Sequence, residues 1–291
     1  MEKAKRIAMG IVLVGLLGLI ALSSCEITVP ADHNGERVDN TNFSAAEPFS
    51  FEVAVKTQSR FVLAAINGSI DVVGVPGTSS VKIWGERIVK SESEADAQAH
   101  LEKLEVQVKD GDEEVFVKTV QPGETQGRTY VVNYHIQMPD TWDFYLETIN
   151  GEMAVDSLNA TVSIGATNGN VKLTKVTGTV SVNLTNGNIW LRDLVGSVKV
   201  DLTNGTIDGR VSLTAQAICD MEITNGGISL GIPKTTSATF SAKVVNGSVS
   251  VSELALSNMS TSRTSVSGIL GDGKGTVNLR TTNGNIKVWG F

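Results

Sequence analysis

The chain has 291 residues, of which 41% are hydrophobic and 5% aromatic, and a net charge of −7. That apolar share excludes a disordered chain, and an acidic balance without a basic cluster excludes a nucleic-acid binder. Abundant Gly, Thr, Ser, Val and Asn suit short strands and tight turns better than helices, so an all-β fold is expected.

The chain opens with Lys3, Lys5 and Arg6, an apolar run from Ile7 to Leu22, and small residues before Cys25. This is a secretory signal, and the run of 16 residues is shorter than the ~20 that a spanning helix needs. Its ending, Leu22-Ser23-Ser24-Cys25, resembles the lipobox of bacterial lipoproteins. The resemblance implies lipidation at Cys25, and several acyl chains there hold firmly where one holds weakly. An uncleaved signal anchor, or an ordinary cleaved signal with an incidental Cys, is the alternative. Without Glu2, Lys3, Lys5 and Arg6 the chain carries 30 acidic and 21 basic side chains, a charge of −9, so an anionic membrane face repels the body. Cys219 is the one other cysteine, which leaves no disulfide framework once Cys25 carries lipid.

Residues 1–25 are thus read as a lipoprotein signal and 26–48 as a flexible polar tether, in which Asn34-Gly35 lacks alternating flanks and is treated as chance. Residues 49–140 hold N-terminal strands, a first coil around Asn67 and a short amphipathic helix, about Glu92 to Leu104, announced by the capping box Ser91-Glu92-Ser93-Glu94. The helix is expected to cap one end of the structure.

Residues 141–291 form a repeat. From Asn150 onward, Asn-Gly recurs at intervals of 18, 18, 18, 21, 21 and 37 residues. Three and five residues after each Asn come apolar columns such as Val171/Ile189/Ile207 and Val155/Leu173/Leu191; four and six before come Ile164/Val182/Val200 and Val162/Val180/Val198. Two strands of period two therefore meet at every corner. An antiparallel β-meander with Asn-Gly hairpins is one solution. It leaves its apolar face without a second layer, so the favoured solution is a parallel β-solenoid of 18–21-residue coils, with like residues stacked about 4.8 Å apart. In that arrangement the Asn side chains form an amide ladder, and Thr167, Thr185 and Thr203 beside them a row of hydroxyls. Residues 252–275 fit either a degenerate coil or a surface loop.

The stretches "LAAINGSIDVVG", "YHIQMP" ahead of "LETINGEMAV", the serial "TNGN" coils and "ILGDGKGTVNLRTTNGNIKV" resemble a bacterial adhesin domain family, a provisional label for domains of unknown function with Asn-Gly strand repeats, related in pattern to head-GIN domains. The resemblance spans about Phe49 to Phe291. It implies a β-solenoid-like body at the cell envelope and carries no catalytic residues over; related domains also occur in envelope-stress proteins.

His33, His100 and His135 have no second ligand nearby in sequence, and "GDGKG" around Asp272 reads as a tight turn, so no catalytic residue, metal or cofactor is expected. Asp193, Asp201 and Asp208 are outward carboxylates of neighbouring coils that a carbohydrate-active β-helix enzyme would need; solvated strand-face charges are the commoner case. Trp190, four residues after Asn186, points outward and is the candidate ligand surface, since an exposed indole stacks on a sugar ring. Cys219 stands in an inward column and reads as a buried, unreactive thiol. The expectation is a lipid-anchored cell-envelope lipoprotein, a non-catalytic binding, adhesion or scaffolding module. Its partners would be a bacterial membrane, reached through the lipid at Cys25, and envelope glycans or surface proteins, but not nucleic acid. A β-helix enzyme and a stress-sensing module are the rivals.

Overall fold

Residues 41–291 are described by a computed structural model of the chain. The signal, Cys25 and residues 26–40 of the tether lie outside the described residues.

The repeat is a parallel stack. β8 (Asp143–Asn150), β10 (Thr161–Asn168) and the long β11 (Val171–Ser212) align Asn150, Asn168 and Asn186 as partners, and β11 aligns Asn204 with Asn225 of β12 (Ile218–Ile232). On the other side of the corner, β9 (Met153–Leu158) pairs in parallel with β11. The antiparallel meander is thereby overturned. Corner geometry agrees: the glycines after the eight stacked Asn residues have φ between 128° and 152°, whereas no corner Asn has positive φ, as a two-residue hairpin turn requires.

Two features of the Asn-Gly pair explain its recurrence. Each Asn amide donates to the side-chain oxygen of the coil before it, for example Asn168 Nδ2 to Asn150 Oδ1 at 2.7 Å and Asn186 Nδ2 to Asn168 Oδ1 at 2.9 Å. The chain of seven such bonds ends where Asn67 donates to the Tyr130 carbonyl at 3.1 Å. The glycine lets backbones approach: a Cβ on Gly187 would lie 1.5 Å from the Gly169 carbonyl oxygen. Its φ of 145° is also costly for any L side chain. The threonines beside the corners, Thr167, Thr185 and Thr203, face solvent, and their hydroxyls make no hydrogen bond to one another among the described residues. A second corner follows seven residues after Asn, where Ser157, Lys175 and Asp193 take φ of 60°, 51° and 55°.

Inside, the columns are dry. Phe61, Phe144, Val162, Val180, Val198, Cys219, Phe240 and Val277, all six residues before a corner, are at most 2% exposed. Phe61 and Phe144 stack with centroids 6.2 Å apart. Burial pushes the Cys219 thiol up to about 12, so it is a packing group and not a nucleophile.

Both ends depart from the repeat. At the first, β2 (Arg60–Ala64) and β3 (Ile70–Val75) stack on β8 and β9, and the segment that follows adds strands on their outer side. β6 (Glu114–Val120) joins β2 in parallel and β5 (Glu105–Asp110) pairs antiparallel with β6. β7 (Thr129–Pro139) joins β3 in parallel; β4 (Ser80–Ser91) and then β1 (Phe43–Ala54) follow antiparallel. Residues 43–48, read from sequence as tether, are therefore strand. Pairing with β4 from Phe43↔Ser91 to Ala54↔Ser80 orders this polar stretch and buries Ala45, and Pro48 is tolerated because β1 is an edge. α1 (Glu94–Leu101) is shorter than expected, with Ser93 as N-cap accepting from the Asp96 N–H. Its Ala97 and Leu101, with Leu104 after it, join the core, as a cap should. Arg128 clamps Asp96 through Nε and Nη2 at 2.6 and 2.8 Å, and Ser91 donates to the same carboxylate, which holds Asp96 well below the usual carboxylate range.

At the other end the coil order is not the sequence order. β17 (Gly275–Asn283) pairs with both β12 and β13 (Ala238–Asn246), so the Asn283 coil lies between those of Asn225 and Asn246. β18 (Ile286–Gly290) likewise sits between β12 and β14 (Val249–Ser252). The reason lies in the intervening segment. β15 (Leu256–Ser262) and β16 (Ser265–Leu270) form an antiparallel hairpin, and β16 covers the outer side of β13, so the returning chain inserts inside it.

Candidate functional site

The strands that follow the Asn-Gly corners, continued by β7, β4 and β1, make one sheet face, and its outward residues fall into two rows. Alternation fixes this: residues three and five after Asn are buried, so those four and six after it point to solvent. The first row runs from Ser50 and Trp84 through His135 and Asp71 to Ala154, by register pairing across β1, β4, β7, β3 and β9. It continues through Lys172, Trp190 and Asp208, one coil apart, to Ser229 and Lys287. The second row carries Glu52, Lys82 and Gln137 at one end and Arg192, Arg210, Gly231, Trp289 and Ser252 at the other.

Trp190 lies half-buried on this face, as its offset predicts. Two further tryptophans share the face, so three of the chain's four indoles are here, while Trp142 is in the core. Trp289, six residues after Asn283, was legible from the same offset rule. Trp84 was not, because β4 lies outside the repeat.

The two terminal indoles are held alike. Trp84 is stacked on one side by His135, with centroids 5.7 Å apart at 24°, and His135 Nδ1 is 3.3 Å from Asp71 Oδ2. Its other neighbour is Ser50, too small to cover the ring. Trp289 leans over Gly231, where a Cβ would meet the ring at 2.9 Å, and its opposite neighbour is Ser252. Each indole walls a shallow depression. One, of about 420 Å³, is lined by Ser50, Phe51, Glu52, Lys82, Trp84 and Gln137. The other, of about 320 Å³, is lined by Ser229, Ser252, Glu253, Lys287 and Trp289. Both are at the small end of ligand sites, ~300–1,000 Å³. Each combines an indole, a hydroxyl, a carboxylate and an ammonium group.

Charges on the face are of both signs, and Lys82, Lys172, Arg210 and Lys287 make no ion pair among the described residues. Arg192 pairs with Asp208 at 2.6 Å and Lys234 with Glu253 at 2.7 Å, so the face presents no field of one sign.

The three aspartates weighed for catalysis are not brought together. Asp193 is at the second corner, Asp208 is on this face beside Arg192, and Asp201 is on the strand before the corner, 3.5 Å from Lys199. Among the described residues no group of three or more His, Cys, Asp or Glu side chains converges as a metal site, and no helix is long and apolar enough to cross a membrane.

The protein resembles several solved structures. A provisionally assigned cell adhesion protein from Clostridium sporogenes ATCC 15579 is 16% identical, with a TM-score of 0.40, over 84% of this chain and 100% of that one. A provisionally assigned adhesin from Bacteroides fragilis NCTC 9343 is 12% identical, with a TM-score of 0.29, over 83% and 97%. A provisionally assigned lipid binding protein from Parabacteroides distasonis ATCC 8503 is 11% identical, with a TM-score of 0.29, over 82% and 96%. No curated protein matches. A family profile described as Toastrack DUF4097 matches residues 23–289, nearly the whole chain. The chain belongs to the Toastrack DUF4097 family.

Proposed function

We propose that this chain is a lipid-anchored lipoprotein of a bacterial cell envelope whose solenoid body is a non-catalytic binding module. The observation that carries the binding role is the face bearing Trp84, Trp190 and Trp289: partly exposed indoles on a sheet whose rows are fixed by strand register, antiparallel at Trp84 and parallel at the others. Such a surface recognises without rearranging, because its side chains stand on rigid strands. The scattering of Asp193, Asp201 and Asp208 favours binding over cleavage. The anchoring part rests on the sequence around Cys25.

Two measurements test this reading. Cys25→Ala should move the protein from the membrane fraction to the soluble fraction of a bacterial host that processes lipoproteins. The purified protein should also co-sediment saturably with washed bacterial envelopes. Membrane association unchanged by Cys25→Ala contradicts the anchor, and absence of envelope binding contradicts the module.

A further inference from the structure

We propose that the corner Asn246-Gly247 is a site of spontaneous deamidation, and that stacking protects the other Asn-Gly corners from the same reaction. The site is independent of any ligand on the indole face. In deamidation the backbone nitrogen of the residue after an asparagine gives up its proton and attacks the side-chain Cγ. A C–N bond forms, the Cγ–Nδ2 bond breaks and ammonia leaves with the displaced proton, which closes a five-membered imide. Water then opens either imide carbonyl to give aspartate or isoaspartate. Glycine leaves the attacking nitrogen least hindered because it has no Cβ, so every corner carries the reactive dipeptide.

What differs between corners is how the reacting groups are held. At Asn168, Nδ2 donates to Asn150 Oδ1 at 2.7 Å, Oδ1 accepts from Asn186 at 2.9 Å, and the Gly169 N–H donates to the Asn186 carbonyl at 3.0 Å. The glycine bond recurs from Gly68 to Asn150 and from Gly151 to Asn168, at 3.1 and 3.0 Å. The first end is closed as well, since Asn67 donates to the Tyr130 carbonyl at 3.1 Å and accepts from Asn150 at 2.6 Å. No Asn-Gly coil lies beyond Asn246. Asn246 is exposed and donates to Asn283 at 2.8 Å, while its Oδ1 and the Gly247 N–H have no partner among the described residues. The turn between β15 and β16 reaches both sides of this corner, where the Thr264 and Arg263 carbonyls accept from Val244 and Val249 at 2.9 and 3.0 Å, but it gives Gly247 nothing. The attacking nitrogen is thus unbonded here, and one side-chain bond in place of two holds the amide. Each bond that must open before attack lowers the rate about two- to tenfold, so Asn246 should react about tenfold or more faster than Asn168. The Asn246 carbonyl still accepts from Gly284 at 2.9 Å, so the folded corner should react more slowly than an unfolded chain. The product sets a carboxylate against Asn283 Oδ1 in place of a donor, which loosens the last coil.

The test incubates the full-length protein, solubilised with its anchor, in mildly alkaline buffer and follows each corner by peptide mapping with mass spectrometry, which separates aspartate and isoaspartate from asparagine. Among the stacked corners Asn246 should convert first, about tenfold or more ahead of Asn168 and Asn186. In guanidinium chloride, which removes the stack, the rates should draw together, because every corner carries the same dipeptide. Asn283→Ala, which removes the acceptor of the Asn246 amide, should speed conversion at Asn246 and leave Asn168 as it was, with circular dichroism showing that the variant is folded. Asn246→Asp, made directly, should melt below the parent. Even conversion across the corners of the folded protein, an interior corner converting ahead of Asn246, or rate differences that persist in denaturant would overturn the inference.

Discussion

Replacing Asn186 by alanine should destabilise the fold about twice as much as replacing Asn246. Asn186 donates to Asn168 at 2.9 Å and accepts from Asn204 at 2.8 Å, so its loss removes two bonds. Asn246 is the last member of the ladder; it donates to Asn283 at 2.8 Å and receives nothing from another corner Asn. A typical intramolecular hydrogen bond contributes about 0.5–1.5 kcal/mol, and here water meets the released groups at an exposed corner, so the lower half applies. The expected losses are about 1–2 kcal/mol for Asn186→Ala and about 0.5–1 kcal/mol for Asn246→Ala. Asn186→Asp should cost more than alanine, because a carboxylate set against the Asn168 Oδ1 acceptor repels it. Guanidinium titrations at neutral pH, compared at constant slope, give the ranking. Equal losses at both ends of the comparison, or an Asp variant milder than the Ala variant, would refute a directional ladder.

Gly187→Ala should prevent folding or cost several kcal/mol, since the new methyl group meets the Gly169 carbonyl and the φ of 145° is strained, and a melting temperature near the parent's would contradict the close stacking. Acid should weaken the helix cap through Asp96. Its carboxyl is depressed in the folded state, so its contribution is complete above the ordinary carboxylate value of about 3.9 and is lost as pH falls below it. Asp96→Asn should therefore cost about 2 kcal/mol near pH 7 and show a smaller loss of stability between about pH 5 and pH 2 than the parent; identical acid profiles would sink that assignment. Cys219, with its thiol pushed up to about 12 by burial, should react with thiol reagents only when the body opens, so the labelling rate should rise with denaturant, and rapid labelling of the native protein would place the residue elsewhere.

Much of the architecture was legible because stacking makes sequence periodic. The inward columns, the Asn corner and the outward position of Trp190 all follow from offsets to Asn-Gly, and the +6 offset of Trp289 was there to be read. What stayed hidden has a physical cause in each case. Every coil offers its neighbour the same corner and the same apolar columns, so nothing in the residues says that Asn283 stacks on Asn225 in place of Asn246. The strand at Phe43–Ala54 begins in polar sequence because an edge strand is ordered by backbone pairing more than by burial. The second corner uses Ser157, Lys175 and Asp193 at positive φ, a different residue in each coil, so no repeated dipeptide marks it as Asn-Gly marks the first. Trp84 reaches the indole face through β4, an antiparallel strand of the N-terminal excursion that no repeat offset reaches.

The stack and its interchanged final coils can be tested by two engineered cysteine pairs in a Cys25→Ser, Cys219→Ala background. Asp220 and Asn278 are parallel register partners, whereas Asp220 and Ser241 are separated by the strand that carries Asn278. Partners on adjacent strands lie about 4.8 Å apart, within disulfide reach, and strands once removed about twice that, beyond it. Mild oxidation should close the 220–278 pair and leave 220–241 open; a disulfide between 220 and 241, with none between 220 and 278, would contradict the account.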